Sequence, residues 1–182
     1  PFLAYSRQDK KSKSREPITA KLVADLLTQA GVNRLLSIDF HADQVQGYYN
    51  IPVDHLVAYP QFAKYITDNH IEDAVIVSPD IGGLKRANKL ADLLGFKIAV
   101  IDKVRRAHNQ AEILHLVGEV KGKTVVVIDD IIDTGSSMIP AINAVKQNGA
   151  KKIIICATHA VFSKNAKNLL HNSLADRILI TD

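Results

Sequence analysis

Short runs of branched apolar residues alternate along this chain with longer stretches of helical periodicity, and this alternation restricts the fold more than any other feature. The strand-like runs lie at 1–5, 34–39, 74–79, 97–102, 124–129, 152–158 and 177–182. Several are apolar at successive positions rather than at alternate ones, which indicates strands covered on both faces. Such strands, separated by helices, predict an α/β fold with parallel sheets flanked by helices.

The stretches between the strands carry ordinary helix signals. Residues 17–31 begin on Pro17 and end on Gly31, with apolar residues recurring on one helical face, and 83–95 and 136–149 close on Gly95 and Gly149 in the same way. The segment 111–120 instead predicts an extra strand or hairpin arm, which ends in a turn at 121–122. Three strands, those before Asp39, Asp80 and Asp129, are followed by an acid, and this recurrence predicts two similar βα halves.

A domain boundary is predicted near 52–60, where IPVDHLVAYP contains two prolines and has no clear periodicity. We therefore expect two domains, 1–57 and 58–182. The chain opens without methionine on a strand-like segment and closes on another such segment, so we expect an internal piece of a longer protein, with the first domain incomplete.

Composition excludes several classes of protein. The 182 residues include 47% hydrophobic and 23% charged residues, with a formal charge of +4, which is ordinary for a globular domain and does not favour nucleic acid as a partner. No apolar run approaches the roughly 20 residues of a membrane helix. The single cysteine, Cys156, excludes an internal disulfide framework and fits a reducing, cytoplasmic compartment, and its apolar neighbours predict a buried thiol.

The stretch VVVIDDIIDTGSS, residues 125–137, carries the strongest functional signal. Adjacent Asp129 and Asp130 at the end of an apolar strand repel each other, so we expect a cation or a group rich in hydroxyls beside them. The small residues that follow, at the start of a helix, offer backbone N–H groups and hydroxyls to a phosphate. The acids then hold either ribose hydroxyls or Mg²⁺ and its waters. The alternative is an N-capping turn with solvated aspartates.

Four other segments allow two interpretations each. His41 follows a strand between Asp39 and Asp43 and is either a ligand for metal or phosphate or a hydrogen-bonding residue at a strand end. Asp80, with Gly82 and Gly83, forms either a simple turn or a metal-binding acid beside a diphosphate-binding backbone. The cations within 103–106 form either a solvated loop or a group that binds phosphoryl oxygens. Those within 7–15 form a basic patch that binds either phosphates or RNA, and the lack of aromatic residues beyond Tyr5 disfavours RNA.

These stretches together resemble one family. The 125–137 stretch resembles the phosphoribosyl pyrophosphate loop of the phosphoribosyltransferase fold. YSRQDKKSKSREPITAK, DFHADQVQGYYNIPVDHL, VSPDIGGLKRA, IDKVRRAHN and ATHAVFS resemble, in this order, the signatures of the ribose-phosphate diphosphokinases, or phosphoribosyl pyrophosphate synthetases. The resemblance runs through nearly the whole chain. It implies two phosphoribosyltransferase-like domains, the rear part of the first at 1–57 and most of the second at 58–182.

The resemblance implies transfer of diphosphate from Mg-ATP to the 1-hydroxyl of ribose 5-phosphate, which gives phosphoribosyl pyrophosphate and AMP for nucleotide biosynthesis. It further implies Mg²⁺ as cofactor, ATP and ribose 5-phosphate as ligands, neither nucleic acid nor membrane as partner, and a homo-oligomer built from dimers, up to a hexamer. Since the family completes its ATP site with residues from a front part absent here, we expect this chain alone to turn over poorly.

The resemblance also assigns roles to residues. It places ATP at Arg7, Gln8 and His41; ribose hydroxyls at Asp129 and Asp130; the rest of ribose 5-phosphate at Asp133, Thr134, Gly135, Ser136 and Ser137; the diphosphate at Asp80, Gly82 and Gly83; and metal at His41 and Asp80. Lys103 and Arg105 match the catalytic cations of a mobile loop. Val104 between them departs from the charged residue that is common there.

Two rival functions stay open at the level of sequence. A phosphoribosyltransferase that uses a nucleobase shares the 125–137 pattern but does not need SRQD or FHADQ. A non-catalytic, regulatory paralogue of the synthetase is the other alternative, although such proteins usually lose loop or metal residues that this chain keeps.

Overall fold

The structure, a computed structural model, describes residues 2–104 and 113–181 and divides into two compact units, Pro1–Ala58 and Tyr59–Asp182. This division lies one residue beyond the boundary expected from the sequence. No helix in the described parts of the chain is long and apolar enough to cross a membrane.

The first unit is a small α/β arrangement around a two-stranded parallel sheet. Its elements are helix α1 (Thr19–Gln29), strand β1 (Leu35–Ile38), a 3₁₀ helix (Asp43–Tyr48) and strand β2 (Val53–Leu56). Helix α1 buries Ala20 and Ala24 against Phe40, Val45 and Tyr49. The helix follows Pro17 and stops before Gly31, whose φ of +96° ends it.

The strand predicted at 1–5 is wrong. Residues 4–7 form turns, in which the backbone N–H of Ser6 donates to the Leu3 carbonyl and that of Gln8 to the Tyr5 carbonyl. Tyr5 has a φ of +61°, which an extended strand does not allow. Apolar composition favoured a strand here, but the backbone hydrogen bonds are satisfied locally.

The second unit contains a six-stranded sheet in the order β5-β4-β3-β6-β7-β8. In chain order its elements are α2 (Tyr59–Asp68), β3 (Ala74–Ser78), α3 (Leu84–Leu94), β4 (Lys97–Val104), β5 (Ile113–Val117), β6 (Thr124–Ile132), α4 (Met138–Gln147), β7 (Lys152–Ala160), α5 (Ala166–His171) and β8 (Arg177–Ile180). Within the described residues of this sheet, β5 alone pairs antiparallel, with β4. The predicted α/β fold with a mostly parallel sheet is therefore confirmed, as are the extra strand and the turn at 121–122.

Continuous apolar strands form the centre of this sheet. Every residue of β3 is buried, as are Val125–Ile128 of β6 and Ile153–Ala157 of β7. Residues from alternate positions of these strands pack with α4 in one core cluster. Burial on both faces is what the unbroken apolar runs predicted, and it leaves the ends of the strands as the places where polar groups can collect.

Candidate active site

The buried polar side chains of the second unit lie near the carboxyl ends of its three central strands. Among the described residues of this unit they are Ser78 on β3, Asp130 on β6, and Thr158 and His159 on β7. Parallel strands bring their carboxyl ends to one edge of the sheet. That edge is where open α/β sheets bind ligands, because loops and helix N-termini converge there.

The loop between β3 and α3 is held by hydrogen bonds of its own. The hydroxyl of Ser78 donates to the backbone carbonyl of Asp80 at 2.7 Å, and the N–H of Gly83 donates to Asp80 Oδ1 at 2.9 Å. A Cβ atom added at Gly83 would lie 2.8 Å from the Ser78 hydroxyl. The φ of Gly83 is an ordinary −82°, so the backbone conformation does not require glycine. The loop needs glycine at 83 because the Ser78 hydroxyl packs closely against it.

The expectation that the strand ends at Asp129 is wrong, because β6 continues to Ile132. Its pairing with β7 extends to Ile132 opposite Ala160, so the neighbouring strand supplies backbone partners beyond the acids. Asp129 and Asp130, the acid pair, are therefore strand residues, with side chains 14% and 2% exposed. This burial contradicts the alternative interpretation, in which the aspartates are solvated.

The cation expected beside the acid pair is Arg86 from the first turn of α3. Its Nη1 lies 3.4 Å from Asp129 Oδ1 and 3.6 Å from Asp130 Oδ1. Burial raises the pKa of Asp129 well above its usual value, the neighbouring charge of Asp130 raises it further, and Arg86 acts in the opposite direction. Burial therefore favours loss of the charge of Asp129, and Arg86 opposes that loss.

The loop 133–137 connects the acid pair to helix α4. Gly135 has a φ of +80°, which favours glycine, and its carbonyl accepts the N–H of Ile139 at 2.9 Å. The Thr134 hydroxyl donates to Ser136 Oγ at 3.0 Å. Ser137 is the N-cap of α4, yet its side chain makes no capping hydrogen bond. Hydroxyls and a helix N-terminus are thus presented together, an arrangement suited to a phosphate.

The proposed catalytic loop lies largely beyond what the structure describes. Lys103 is in β4, opposite Leu114 of β5. Arg105, with Arg106, lies outside the described residues, so their assignment stays a prediction.

In the first unit, the segments that contain Arg7, Gln8 and His41 are joined through Asp9. The amide of Gln44 donates to the Asp9 carboxylate and the Tyr48 hydroxyl donates to the Asp9 carbonyl. These partners lie on the 3₁₀ helix that follows His41. The fold therefore brings the 7–9 segment to the segment after β1.

His55, which sequence reasoning did not single out, supports the turn before His41. The Phe40 N–H donates to His55 Nε2 at 3.1 Å, and Asp43 lies 4.0 Å from Nδ1. Nδ1 also lies 3.1 Å from the side-chain nitrogen of Gln46, which donates to the Asp43 carbonyl at 3.0 Å, so the ring contacts both the turn at Phe40 and the 3₁₀ helix. His55 in β2 is thus a structural partner of the loop that carries His41.

Arg86 was also missed as a functional candidate. It lies within the quoted stretch VSPDIGGLKRA, but its partners are 43 and 44 positions away in sequence, so local spacing gave no sign of them. The available signal was chemical, since two buried acids needed a cation and α3 carries Lys85 and Arg86 in a first turn without acids.

Comparison with known families agrees with this fold. The model of the phosphoribosyl transferase domain matches residues 60–181. This chain belongs to the phosphoribosyl transferase family. Residues 1–31 match the N-terminal domain of ribose phosphate pyrophosphokinase, which identifies the branch of the family that the first unit resembles.

The curated relatives are named ribose-phosphate pyrophosphokinase. That of Fusobacterium nucleatum is 51% identical over 184 residues, which cover 100% of this chain and 58% of the relative. That of Bacillus subtilis is 48% identical, with 57% of its length covered. The resemblance to this family is thereby confirmed, and the chain spans about three-fifths of the length of these relatives.

Solved structures give the same result. Phosphoribosylpyrophosphate synthetase from Mycobacterium smegmatis superposes with a TM-score of 0.93 at 45% identity, covering 100% of this chain and 59% of that one. Purine phosphoribosyltransferase from Pyrococcus horikoshii Ot3 gives a TM-score of 0.52 at 23% identity, over 82% of this chain and 87% of that one. The second likeness shows a shared fold only.

Proposed function

We propose that this chain carries the sugar-phosphate site of an enzyme that transfers diphosphate from Mg-ATP to the 1-hydroxyl of ribose 5-phosphate. In this reaction the 1-hydroxyl oxygen bonds to the β-phosphorus of ATP, and the bond from that phosphorus to the α–β bridging oxygen breaks. The hydroxyl loses its proton, and AMP leaves. The products are phosphoribosyl pyrophosphate and AMP.

The acid pair beside the 133–137 loop supports this proposal most strongly. Asp129 and Asp130 are carboxylates suited to accept hydrogen bonds from the ribose hydroxyls, and the loop offers backbone N–H groups and hydroxyls to the 5-phosphate. The backbone of Asp80–Gly83 is the proposed diphosphate site. Electrostatic positioning then accounts for most of the catalysis.

Magnesium fits the donor set as an ion shared with substrate. Among residues 2–104 and 113–181, no cluster of three or more His, Cys, Asp or Glu side chains is arranged as a metal site. Mg²⁺ is commonly held by one or two carboxylates together with substrate phosphates, so Asp80 is the proposed contact in the second unit. In the first unit, His41 stays a predicted metal ligand. The ion, when bound, neutralises charge on the phosphates.

Lys103 and Arg105 are proposed to stabilise the charge that develops on the transferring group. If they act mainly in the transition state, Lys103→Ala should lower kcat and kcat/KM together by roughly 100- to 1000-fold and leave both KM values nearly unchanged. Arg106→Ala is the matched control and should cost much less. A larger effect at Arg106 would show that the register of this loop is wrong.

AMP release from ATP and ribose 5-phosphate, with and without Mg²⁺, tests the activity. The assay should be run on this chain and on a protein of the relatives' full length, with ATP-binding residues Arg7, Gln8 and His41 substituted in turn. AMP formation that requires ribose 5-phosphate supports the proposal. Consumption of phosphoribosyl pyrophosphate with a purine base, without AMP release from ATP, would instead identify a base-using enzyme.

A further inference from the structure

Arg86 connects two segments of the site that are far apart in sequence. Its guanidinium contacts both members of the acid pair on β6, at 3.4 and 3.6 Å. The same Nη1 lies 3.8 Å from the position that a Cβ atom on Gly83 would occupy, beside the β3–α3 loop. The side chain is 14% exposed, so these contacts are made largely away from water.

The position of Arg86 is unfavourable for its own helix. It is the third residue of α3, where the partial positive charge of the helix N-terminus repels a cation, and the first turn holds no acid. Local helix energetics therefore argue against a buried arginine here. A residue that is unfavourable in its own helix, but is compensated by partners distant in sequence, is typical of a functional site.

The chemistry of the acid pair explains what this arginine can do. An ionised carboxylate accepts hydrogen bonds through both oxygens, whereas a protonated one also donates. When two vicinal sugar hydroxyls bind to adjacent carboxylates, the hydroxyls donate the hydrogen bonds. The carboxylates must therefore remain hydrogen-bond acceptors. Burial and mutual repulsion drive Asp129 toward protonation, and Arg86 opposes this.

We propose that Arg86 is a positioning residue that holds Asp129 and Asp130 as a pair of hydrogen-bond acceptors for the vicinal hydroxyls of a sugar phosphate. It acts through the carboxylates and need not touch the sugar. This inference rests on the proposed function, because it takes the sugar site at the acid pair as given.

The test compares Arg86→Gln, Arg86→Lys and the control Lys85→Gln. Lys85 precedes Arg86 in the same helical turn and is exposed, so its substitution removes the same charge from the first turn of α3. Ribose 5-phosphate binding is measured by calorimetry from pH 5 to 9, after circular dichroism has shown that each variant is folded. Besides Arg86, the charged and titratable groups near the carboxyl ends of the strands around the pair include Asp80, Asp133 and His159, and α3 also carries Lys85, Lys89 and Asp92.

Arg86→Gln should weaken ribose 5-phosphate binding at neutral pH roughly ten- to hundredfold, since charge-assisted partners are lost. The sign of the pH effect follows from the removed cation. Without Arg86 the pKa of Asp129 rises further, so binding should recover only at higher pH than in the parent chain. Arg86→Lys should keep most of the affinity and an intermediate profile, and Lys85→Gln should match the parent chain.

A ¹³C NMR titration of the aspartate carboxyls reads the same effect without ligand. The Asp129 titration should move upward in Arg86→Gln, and an unmoved titration or an unchanged binding profile would overturn the role of Arg86. If the parent chain does not bind ribose 5-phosphate at any pH, the proposed function falls, and this inference with it. Normal binding by the parent and by Arg86→Gln alike overturns the inference alone.

Discussion

Asp129 is a residue whose charge opposes the stability of the fold. Its folded-state pKa is raised above the usual 3.8, first by burial and then by Asp130. A carboxyl with a raised pKa contributes its full stability below pH 3.8, and this contribution is lost as pH rises through the folded-state value. The charge of Asp129 therefore weakens the fold at neutral pH, as expected where a site is built for binding rather than stability.

Asp129→Asn should therefore be more stable than the parent chain at pH 7 and similar to it near pH 3. The amide resembles the neutral carboxyl in shape but does not have to lose charge in a buried position. Denaturant unfolding at several pH values measures this difference, and ribose 5-phosphate binding should be lost in the same variant. Lower stability at pH 7 would show that the contact with Arg86 outweighs the burial of the charge.

Cys156 illustrates the opposite case of a buried group without a chemical role. The thiol is fully buried in β7, and burial raises its pKa to about 12. Since the thiolate is the reactive form, the native chain should not react with a disulfide reagent at pH 8, and the chain in guanidinium chloride should react fully. Rapid labelling under native conditions would show that β7 opens locally.

At the scale of elements, the β3–α3 loop depends on one close approach. Gly83→Ala would place a methyl group 2.8 Å from the hydroxyl of Ser78, which is fully buried and bonded to Asp80. We expect a loss of about 1–3 kcal/mol in the free energy of unfolding, as for other overpacked sites. Gly47→Ala, with open space around its Cβ, is the control.

A double-mutant cycle separates this contact from other effects. Ser78→Ala removes the clashing oxygen, so Gly83→Ala should cost less in the Ser78→Ala background than in the parent chain. A coupling of about 1 kcal/mol is expected for groups in direct contact. Strict additivity of the two substitutions would contradict the proposed clash.

The sequence predicted the elements whose signals are local. The β3, β4, β6, β7 and β8 strands appeared as apolar runs because both faces of most are buried. Elements set by tertiary context were missed. Strand β2 lies in the proline-containing stretch 52–60 and α2 begins in it, and β6 passes through its acids because β7 pairs with it as far as Ala160.

The same distinction holds for the candidate site. Asp80, Gly83 and the 125–137 stretch are contiguous motifs, so spacing and residue type were enough to single them out. Arg86 and His55 act through partners that only the fold brings near, at distances of 3.4 Å to Asp129 and 3.1 Å to Phe40. Side chains that support a site are in general harder to predict than those that form its motif.

At the scale of the whole molecule, the two units differ in how well each can support itself. The second unit has a six-stranded sheet with central strands buried on both faces. The first has a sheet of only two strands and a small core cluster, and two-stranded sheets are at best marginal on their own. The proposed sugar-phosphate residues lie in the second unit, whereas the proposed ATP contacts Arg7, Gln8 and His41 lie in the first.

A chain of residues 59–182 should therefore fold cooperatively and bind ribose 5-phosphate within a few-fold of the 182-residue chain, but lose ATP binding. Its acid pair, Arg86 and the 133–137 loop all belong to this unit, so the sugar site should survive the truncation. Thermal unfolding and calorimetry with each ligand measure these outcomes, and Asp133→Asn with Thr134→Val in the shortened chain is the control that should abolish sugar-phosphate binding. Retention of ATP binding by residues 59–182 would show that the nucleotide contacts assigned to the first unit are wrong. Loss of binding of both ligands in a folded chain would show that the sugar site does not lie at the acid pair.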